Sequence, residues 1–241
     1  KYYPLNIKAC DQCWLVQTED FVQADVLFLP DYPYFSSVSQ TWLNHAAKYV
    51  DQMRVRFKLN KKSQVIEVAS NDGYLLKNFV AEGIPCLGIE PTISTAEAAE
   101  ALGIPVLKEF FSSELGARLV KENKQADLVI GNNVYAHVPD INDFTLGLKK
   151  VLKTNGVITL EFPHLLCLIK KNQFDTVYHE HFSYLSLYTV SQIFEKAGLR
   201  VWDVECLPTH GGSLRVYGCH ANDIRVATSN VQDVIKEEKQ F

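Results

Sequence analysis

The sequence predicts an α/β fold in which a doubly wound, largely parallel sheet ends in an antiparallel hairpin. From about residue 65 onward, short apolar runs alternate with segments whose apolar residues recur at helical spacing. Repeated β/α units of this kind form parallel sheets that are covered by helices. Near the end of the chain, two strand-like segments are separated only by a short loop containing Pro and Gly, which favours an antiparallel hairpin.

The elements are predicted in a regular order along the chain. An amphipathic helix at residues 39–59 comes first, because Trp42, Ala46, Val50 and Met53 recur at helical spacing. Five strands then alternate with helices, and the two hairpin strands follow the last of these helices. The predicted strands are residues 65–69, 86–89, 106–107, 127–131, 157–161, 200–205 and 213–219, and the later helices are residues 74–82, 95–102, 112–123, 143–152 and 187–197.

Composition narrows the classes of function. The formal net charge is -4, whereas a nucleic-acid-binding protein needs a surplus of Lys and Arg to neutralise phosphates. No segment approaches the roughly 18–20 consecutive apolar residues of a membrane span, and no signal-peptide pattern opens the sequence. The six cysteines are mostly scattered, which is typical of thiols buried in a reducing compartment. We therefore expect a cytoplasmic protein that binds neither nucleic acid nor membrane.

Polar residues follow three of the predicted parallel strands, at the sheet edge where open α/β folds bind ligands. Glu90, after the second strand, is placed to accept both hydroxyl groups of a ribose. Phe110, or its neighbour Phe111, is placed after the third strand to pack on an adenine ring. The candidate cofactor-binding residues are Ser70, Asn71, Gly73, Tyr74, Leu75, Glu90, Phe110, Asn132 and Asn133.

The first of these turns lacks the glycine fingerprint that cradles a pyrophosphate, which disfavours an NAD-dependent enzyme. S-adenosylmethionine has no pyrophosphate and does not need that cradle. Parallel units followed by one reversed strand resemble the class I methyltransferase fold. Each motif also has a purely structural interpretation, as a capped turn, an exposed loop carboxylate or an Asn-rich turn.

The chain resembles the sugar C-methyltransferases, which use S-adenosylmethionine to methylate keto-deoxysugar nucleotides in antibiotic and surface-polysaccharide pathways. The matching stretches run nearly from end to end, at residues 3–17, 67–75, 88–91, 132–140 and 161–163. Two further stretches are the most distinctive. They are Phe174-Asp175-Thr176-Val177-Tyr178-His179-Glu180-His181-Phe182-Ser183-Tyr184 and His210-Gly211-Gly212-Ser213-Leu214-Arg215.

The resemblance implies features beyond the core. Such proteins share an N-terminal zinc-binding module with two Cys pairs, of which this sequence holds only Cys10 and Cys13. They also carry a second Rossmann-like domain at the C-terminal end. Because the sequence lacks an initiator Met and ends within a helical pattern, we expect a fragment truncated at both ends. The resemblance further implies that Tyr32 and His137 lie near the acceptor.

On this interpretation the chain has five parts. Residues 1–20 are a partial zinc-binding module, residues 21–60 lead into the core, and residues 61–165 form the core that binds S-adenosylmethionine. Residues 166–222 hold the substrate and catalytic segment with the final hairpin. Residues 223–241 form a helix that leads to the C-terminal domain.

Methylating a carbon needs a base at the C–H bond and a hydrogen-bond donor at the neighbouring ketone oxygen. His181 is the candidate base, because an imidazole titrates near neutral pH. Tyr178 or His137 would stabilise the enolate, and Glu180 could orient an imidazole or bind a sugar hydroxyl. The full set of catalytic candidates is His181, Tyr178, Glu180, His137, His179 and Tyr32, and the set of substrate-binding candidates is His210, Gly211, Gly212, Ser213 and Arg215.

Other interpretations of these residues remain open. The same base could serve a small-molecule O- or N-methyltransferase, and the fold could also belong to a module that binds S-adenosylmethionine without turnover. If residues 178–181 are extended, His179 and His181 share one face and could form half of a metal site. His137 and Tyr32 could equally be structural residues.

Overall fold

The computed structural model describes residues 3–19 and 34–241. Short 3₁₀ turns lie at Ser36–Val38, Tyr135–His137, Phe174–Thr176 and Thr209–Gly211. The strands are β1 (Ile7–Ala9), β2 (Val16–Thr18), β3 (Val65–Val68), β4 (Cys86–Ile89), β5 (Val106–Leu107), β6 (Ala126–Asn132), β7 (Leu152–Pro163), β8 (Ser183–Tyr184), β9 (Leu199–Leu207) and β10 (Ser213–His220). The helices are α1 (Gln40–Phe57), α2 (Leu76–Ala81), α3 (Ile93–Ala101), α4 (Ser113–Lys121), α5 (Ile141–Val151), α6 (Leu165–Lys170), α7 (Leu187–Ala197) and α8 (Ser229–Gln240).

Seven strands form the central sheet in the order β5-β4-β3-β6-β7-β10-β9. The first five are parallel, and β10 runs antiparallel between β7 and β9. This order confirms the predicted parallel sheet with a terminal antiparallel hairpin. From β3 the chain adds β4 and β5 on one side, and it then crosses over to add β6 and β7 on the other side. Because these strands are parallel, the polar residues that follow β3, β4 and β6 lie at the same edge of the sheet.

Two differences from the sequence expectation concern strands. The strand β7 begins at Leu152, five residues before its predicted start, and pairs there with Ala126 across a register shift. A second, three-stranded sheet joins β1, β2 and β8 in antiparallel pairs. Its strands have only two or three residues each, too few for an alternating hydrophobic pattern to show.

The helix α1 packs on the sheet through two kinds of side chain. Ala46, Val50 and Met53 are buried and apolar, as the periodicity predicted. Beside them runs a polar stripe at the same helical spacing: His45, Tyr49, Gln52 and Arg56. These four side chains bond in turn to Glu161, Thr159, Arg215 and Asp203 on β7, β10 and β9.

In residues 3–19 and 34–241, no helix has both the length and the apolar character needed to cross a bilayer.

Replacing Tyr49 by Phe should lower the free energy of unfolding by about 1–3 kcal/mol, the cost of leaving a buried hydroxyl without its partner. The Tyr49 hydroxyl lies 2.5 Å from Thr159 Oγ1, and both residues are fully buried. Chemical denaturation measures the change. The matched control is Tyr188→Phe, which removes a hydroxyl from a partly exposed ring on α7 and should stay within about 0.5 kcal/mol. Equal values for the two variants would contradict the role given to this bond.

Candidate active site

A cavity of about 620 Å³ opens at the carboxyl ends of the parallel strands. This volume lies within the usual range for ligand pockets, about 300–1,000 Å³. Most of the sequence candidates line it. The lining candidates are Asn71, Tyr74, Glu90, Phe110, Asn132, Asn133, His137, Tyr178, Glu180, His181 and His210; Phe111, Tyr34 and Trp42 also line the cavity. Tyr32 lies outside the described residues.

The turn after β3 has an unusual backbone that holds the preceding loop over the cavity. Ala69 and Asn71 both have left-handed backbone angles, at φ 57° and 49°. The Asn71 side chain accepts a hydrogen bond from Ser36 N at 2.8 Å and donates one to Tyr34 O at 3.0 Å. Asp72 does not cap the following helix, contrary to the capped-turn interpretation, because its Oδ2 accepts from Ser37 N at 3.0 Å.

Glu90 lies at the end of β4, as predicted, and is almost fully buried. Its two carboxylate oxygens accept hydrogen bonds from Asn71 N and Thr92 N, each at 2.9 Å. Each oxygen retains a second acceptor site that a ribose hydroxyl can use. The carboxylate therefore joins the turns after β3 and β4 and fixes the edge of the cavity between them.

Several buried polar atoms beside this edge have no hydrogen-bond partner among the described residues. They belong to Glu67, Ser70, Asp72 and Asn132. Orphaned polar atoms are rare in native interiors and call for an explanation. Of these four residues only Asn132 lines the cavity, so its side-chain amide is the orphaned group that a ligand in the cavity can reach.

Glu67 is the residue of this edge that the sequence analysis did not select. Burial raises the pKa of its carboxyl well above the usual value, and the negative charges of Glu90 and Asp72 raise it further. The available signal was a lone carboxylate within the otherwise apolar strand β3, whose four residues are all buried. Of these three carboxylates only Glu90 lines the cavity, so Glu67 acts on a ligand there only through the charge at this edge.

The base candidate His181 is held in one tautomer. Its Nδ1 lies 2.7 Å from Thr176 O, and a carbonyl can only accept, so Nδ1 carries the proton. The lone pair is therefore on Nε2, which lies 3.0 Å from the Tyr178 hydroxyl. Burial lowers the pKa of His181, which the Thr176 carbonyl partly offsets, so the imidazole is neutral near pH 7.

His137 completes this cluster, with its ring centroid 4.6 Å from that of His181. Burial lowers the pKa of His137 to about 3, and the nearby His181 contributes to the same direction. Burial also raises the pKa of Tyr178, so its phenol stays protonated and can donate a hydrogen bond. The cluster therefore contains one neutral base, His181, and two neutral side chains that can donate hydrogen bonds, Tyr178 and His137.

His179 departs from the expectation that it faces the same side as His181. A hydrogen bond from His181 N to Tyr178 O, at 3.1 Å, closes this segment into a turn, so the alternation of an extended strand does not apply. Tyr178, Glu180 and His181 line the cavity, whereas His179 lies edge-on against Tyr3, 6.2 Å between ring centroids.

The turn between β9 and β10 contributes His210 to the cavity but not the rest of the predicted set. The Gly212 amide already donates to Thr209 O at 2.9 Å, and the Ser213 hydroxyl donates to the same carbonyl. Gly211 lies against Gln173 and its carbonyl accepts from Lys171 Nζ. The structure therefore does not present these groups as an open anion-binding turn.

Arg215, predicted to contact substrate, is buried behind the cavity instead. Its Nε donates to Glu161 Oε1 at 2.7 Å, and its Nη1 donates to Gln52 and Glu205, each at 3.1 Å. Only 2% of its surface is exposed. Because these carboxylates engage the guanidinium from within the fold, it has a structural partner and no route to a ligand in the cavity.

Ser70, Gly73 and Leu75 are buried and do not line the cavity. Cys10 and Cys13 lie in the tight turn between β1 and β2. Hydrogen bonds from the backbone at Cys13 and Gln12 lower the pKa of Cys10, which favours the metal-binding thiolate. Within the described ranges no group of three or more His, Cys, Asp or Glu side chains could hold a metal, so the zinc site stays a prediction.

The chain is similar in sequence to known proteins. Residues 42–204 match a family model described as a methyltransferase domain. C-methyltransferase NovU of Streptomyces niveus is 35% identical over 237 residues, which are 98% of this chain and 56% of that protein. The chain therefore spans a little over half the length of that relative.

Solved structures share the fold at low sequence identity. Magnesium protoporphyrin IX methyltransferase (ChlM) of Synechocystis, solved with bound SAH, superposes with a TM-score of 0.59 and 13% identity over 74% of this chain and 83% of that one. An S-adenosylmethionine-dependent methyltransferase of Clostridium acetobutylicum gives a TM-score of 0.59 and 12% identity over 75% and 92%. Both confirm the predicted class I fold.

Replacing Glu67 by Gln should stabilise the ligand-free protein at pH 8, with an advantage that shrinks towards pH 5. A carboxyl whose pKa is raised by folding binds its proton more tightly in the folded state, so wild-type stability falls as the pH rises above about 4.5. Urea denaturation across this range measures the difference.

The control for this experiment is Glu97→Gln, a largely exposed carboxylate on α3, which should show no comparable trend. A Glu67→Gln protein that is less stable than the wild type at pH 8 would rule out a buried, destabilising charge at this position.

Proposed function

Because this chain belongs to the methyltransferase domain family and has the class I S-adenosylmethionine-dependent fold, we propose that it methylates a carbon next to a ketone in a nucleotide-linked deoxysugar. The observation that carries the proposal is the neutral His181 with its Nε2 lone pair beside the Tyr178 hydroxyl in the cavity. A relative named as a C-methyltransferase supports carbon as the acceptor atom.

The cofactor half of the cavity is assigned to the edge formed by the ends of β3, β4 and β6. Glu90 would accept hydrogen bonds from the ribose hydroxyls, and Phe110 and Phe111 would flank the adenine. The Asn132 amide, which lines the cavity and has no hydrogen-bond partner among the described residues, would bond to the amino-acid end. When bound, S-adenosylmethionine supplies the electrophilic methyl group.

The residues of the cluster then divide the work of making the carbon nucleophilic. His181 Nε2 accepts the proton from the carbon beside the ketone, and the electron pair of that C–H bond moves to form the enolate. Tyr178 then turns its hydroxyl hydrogen bond from His181 to the enolate oxygen, where His137 is close enough to assist. With S-adenosylmethionine bound, the enolate carbon would bond to the methyl carbon as the methyl carbon–sulfur bond breaks, and the electron pair of that bond would stay on sulfur.

Nδ1 of His181 keeps its hydrogen bond to Thr176 throughout this step. The carbonyl stabilises the imidazolium once Nε2 has taken the proton, as an orienting acceptor does in other base assemblies. The lowered pKa of His181 keeps it unprotonated at neutral pH, while the same burial limits competition from water.

Replacing Glu90 by Ala should weaken binding of S-adenosylhomocysteine by about 1–3 kcal/mol, the scale of hydrogen bonds to a charged group. Isothermal calorimetry measures the affinity directly. The matched control is Glu100→Ala, a surface carboxylate on α3, which should bind as the wild type does. Unchanged affinity of the Glu90→Ala protein would show that Glu90 does not bind the ribose.

Replacing His181 by Ala should lower turnover by about 10²–10⁴-fold, the usual contribution of a positioned base, and leave affinity for S-adenosylhomocysteine intact. A second readout isolates the proton step. Deuterium at the acceptor carbon should wash out into water with the wild-type protein and S-adenosylhomocysteine, and should be retained with the variant.

His179→Ala is the control here, because this neighbouring imidazole lies outside the cavity and should leave exchange unchanged. Exchange at the wild-type rate in His181→Ala would show that another group is the base. Transfer of the methyl group to oxygen or nitrogen, with no exchange in any variant, would instead favour the O- or N-methyltransferase alternative.

A further inference from the structure

The indole of Trp42 lines the cavity from the first turn of α1, where three other rings surround it. It stacks with His45 at 4.8 Å between centroids and with Tyr74 at 5.9 Å. His210 meets it edge-on at 5.4 Å. The ring is thus fixed on several sides while part of its apolar surface faces the cavity.

His45 is itself held from behind by a buried carboxylate. Its Nε2 lies 2.8 Å from Glu161 Oε2, and Glu161 Oε1 accepts from Arg215 Nε at 2.7 Å. Burial disfavours a charged carboxylate, but the His45 hydrogen bond and the Arg215 charge outweigh it and lower the pKa of Glu161. An ionised Glu161 with 1% of its surface exposed gives His45 one preferred orientation.

His210 connects Trp42 with the part of the cavity that holds the proposed base. Its ring meets the indole edge-on and lines the same cavity as His181. It is also close enough to His181 for its charge to lower the pKa of His181. Its backbone is left-handed at φ 50°, an arrangement that a non-glycine residue keeps only where its surroundings enforce it.

We propose that Trp42 is the specificity-determining wall against which the acceptor packs, and that His45 and Glu161 are positioning residues that hold its ring. Aromatic side chains give pockets large apolar contact area, and a deoxysugar presents apolar C–H surface to such a wall. The proposal rests on the proposed function, since it names the part of the same cavity that recognises the sugar.

Kinetics of the full-length protein separate this role from a general loss of structure. With the keto-deoxysugar nucleotide that the wild type methylates fastest, from a panel linked to thymidine or uridine diphosphate, Trp42→Leu should raise the acceptor KM at least about tenfold. The kcat should fall much less, and the Kd for S-adenosylhomocysteine should stay within about twofold of the wild type. Trp42→Phe, which keeps a ring, should recover most of the acceptor affinity.

The positioning role is tested on His45, because removing Glu161 would also take from the buried Arg215 one of its two carboxylate partners and destabilise the protein. His45→Ala should raise the acceptor KM in the same direction as Trp42→Leu, and His45→Gln, which can still donate to Glu161, should raise it less. Trp14→Leu is the matched control: this Trp is 60% exposed near the N-terminal turn and should not change either constant.

The results that overturn the inference differ from those that overturn the function. An unchanged acceptor KM in Trp42→Leu, or an equal loss of affinity for acceptor and S-adenosylhomocysteine, would contradict the role proposed for Trp42 but not the proposed function. If the wild-type protein methylates no member of the panel, the proposed function fails and the inference fails with it.

Discussion

The buried carboxylate of Glu161 is the contact on which the arrangement of the cavity depends. It lies near the end of β7, an interior strand of the sheet, where Arg215 of β10 and His45 of α1 both bond to it. A buried charge without such partners is strongly destabilising, so these three elements are held to one another in a fixed geometry. Trp42 and His210, which depend on that geometry, form one side of the cavity.

The electrostatic character of the cavity differs between its two ends. Carboxylates cluster where β3 and β4 end, and there burial, together with the negative charges of Glu90 and Asp72, raises the pKa of Glu67. At the other end burial keeps the imidazoles of His137 and His181 neutral. Glu90 lines the first end and can accept hydrogen bonds from a ligand, and the neutral His181 at the second end can take a proton, which are two functions that the proposed methylation of a carbon requires.

The sequence predicted the sheet well because its signals are local. Apolar runs ended by polar turns located the parallel strands, and the Pro/Gly loop located the hairpin. The sheet of β1, β2 and β8 was not predicted, because each strand has only two or three residues and β8 is distant in sequence from its partner β2. Glu90 and Asn132 could be predicted in the same way, because the topology of a parallel sheet brings the carboxyl ends of its strands together.

Residue roles that depend on tertiary contacts could not be predicted from the sequence. Arg215 was predicted to bind substrate, whereas in the structure Glu161 and Gln52 accept hydrogen bonds from its guanidinium. Glu67 and Trp42 were read as parts of a strand and a helix, because burial and ring stacking do not show in spacing. His179 does not line the cavity, because a backbone hydrogen bond makes residues 178–181 a turn. Side chains in a turn do not alternate between two faces as they do in the extended strand that was assumed.

Whether the methyl group is transferred to carbon can be read from the nuclear magnetic resonance spectrum of the product. The wild-type protein would be incubated with S-adenosylmethionine carrying a carbon-13 methyl group and with uniformly carbon-13-labelled keto-deoxysugar nucleotides. We expect a product methyl with one-bond coupling to a sugar ring carbon beside the ketone. A product methyl bonded to oxygen or nitrogen, without that coupling, would contradict it.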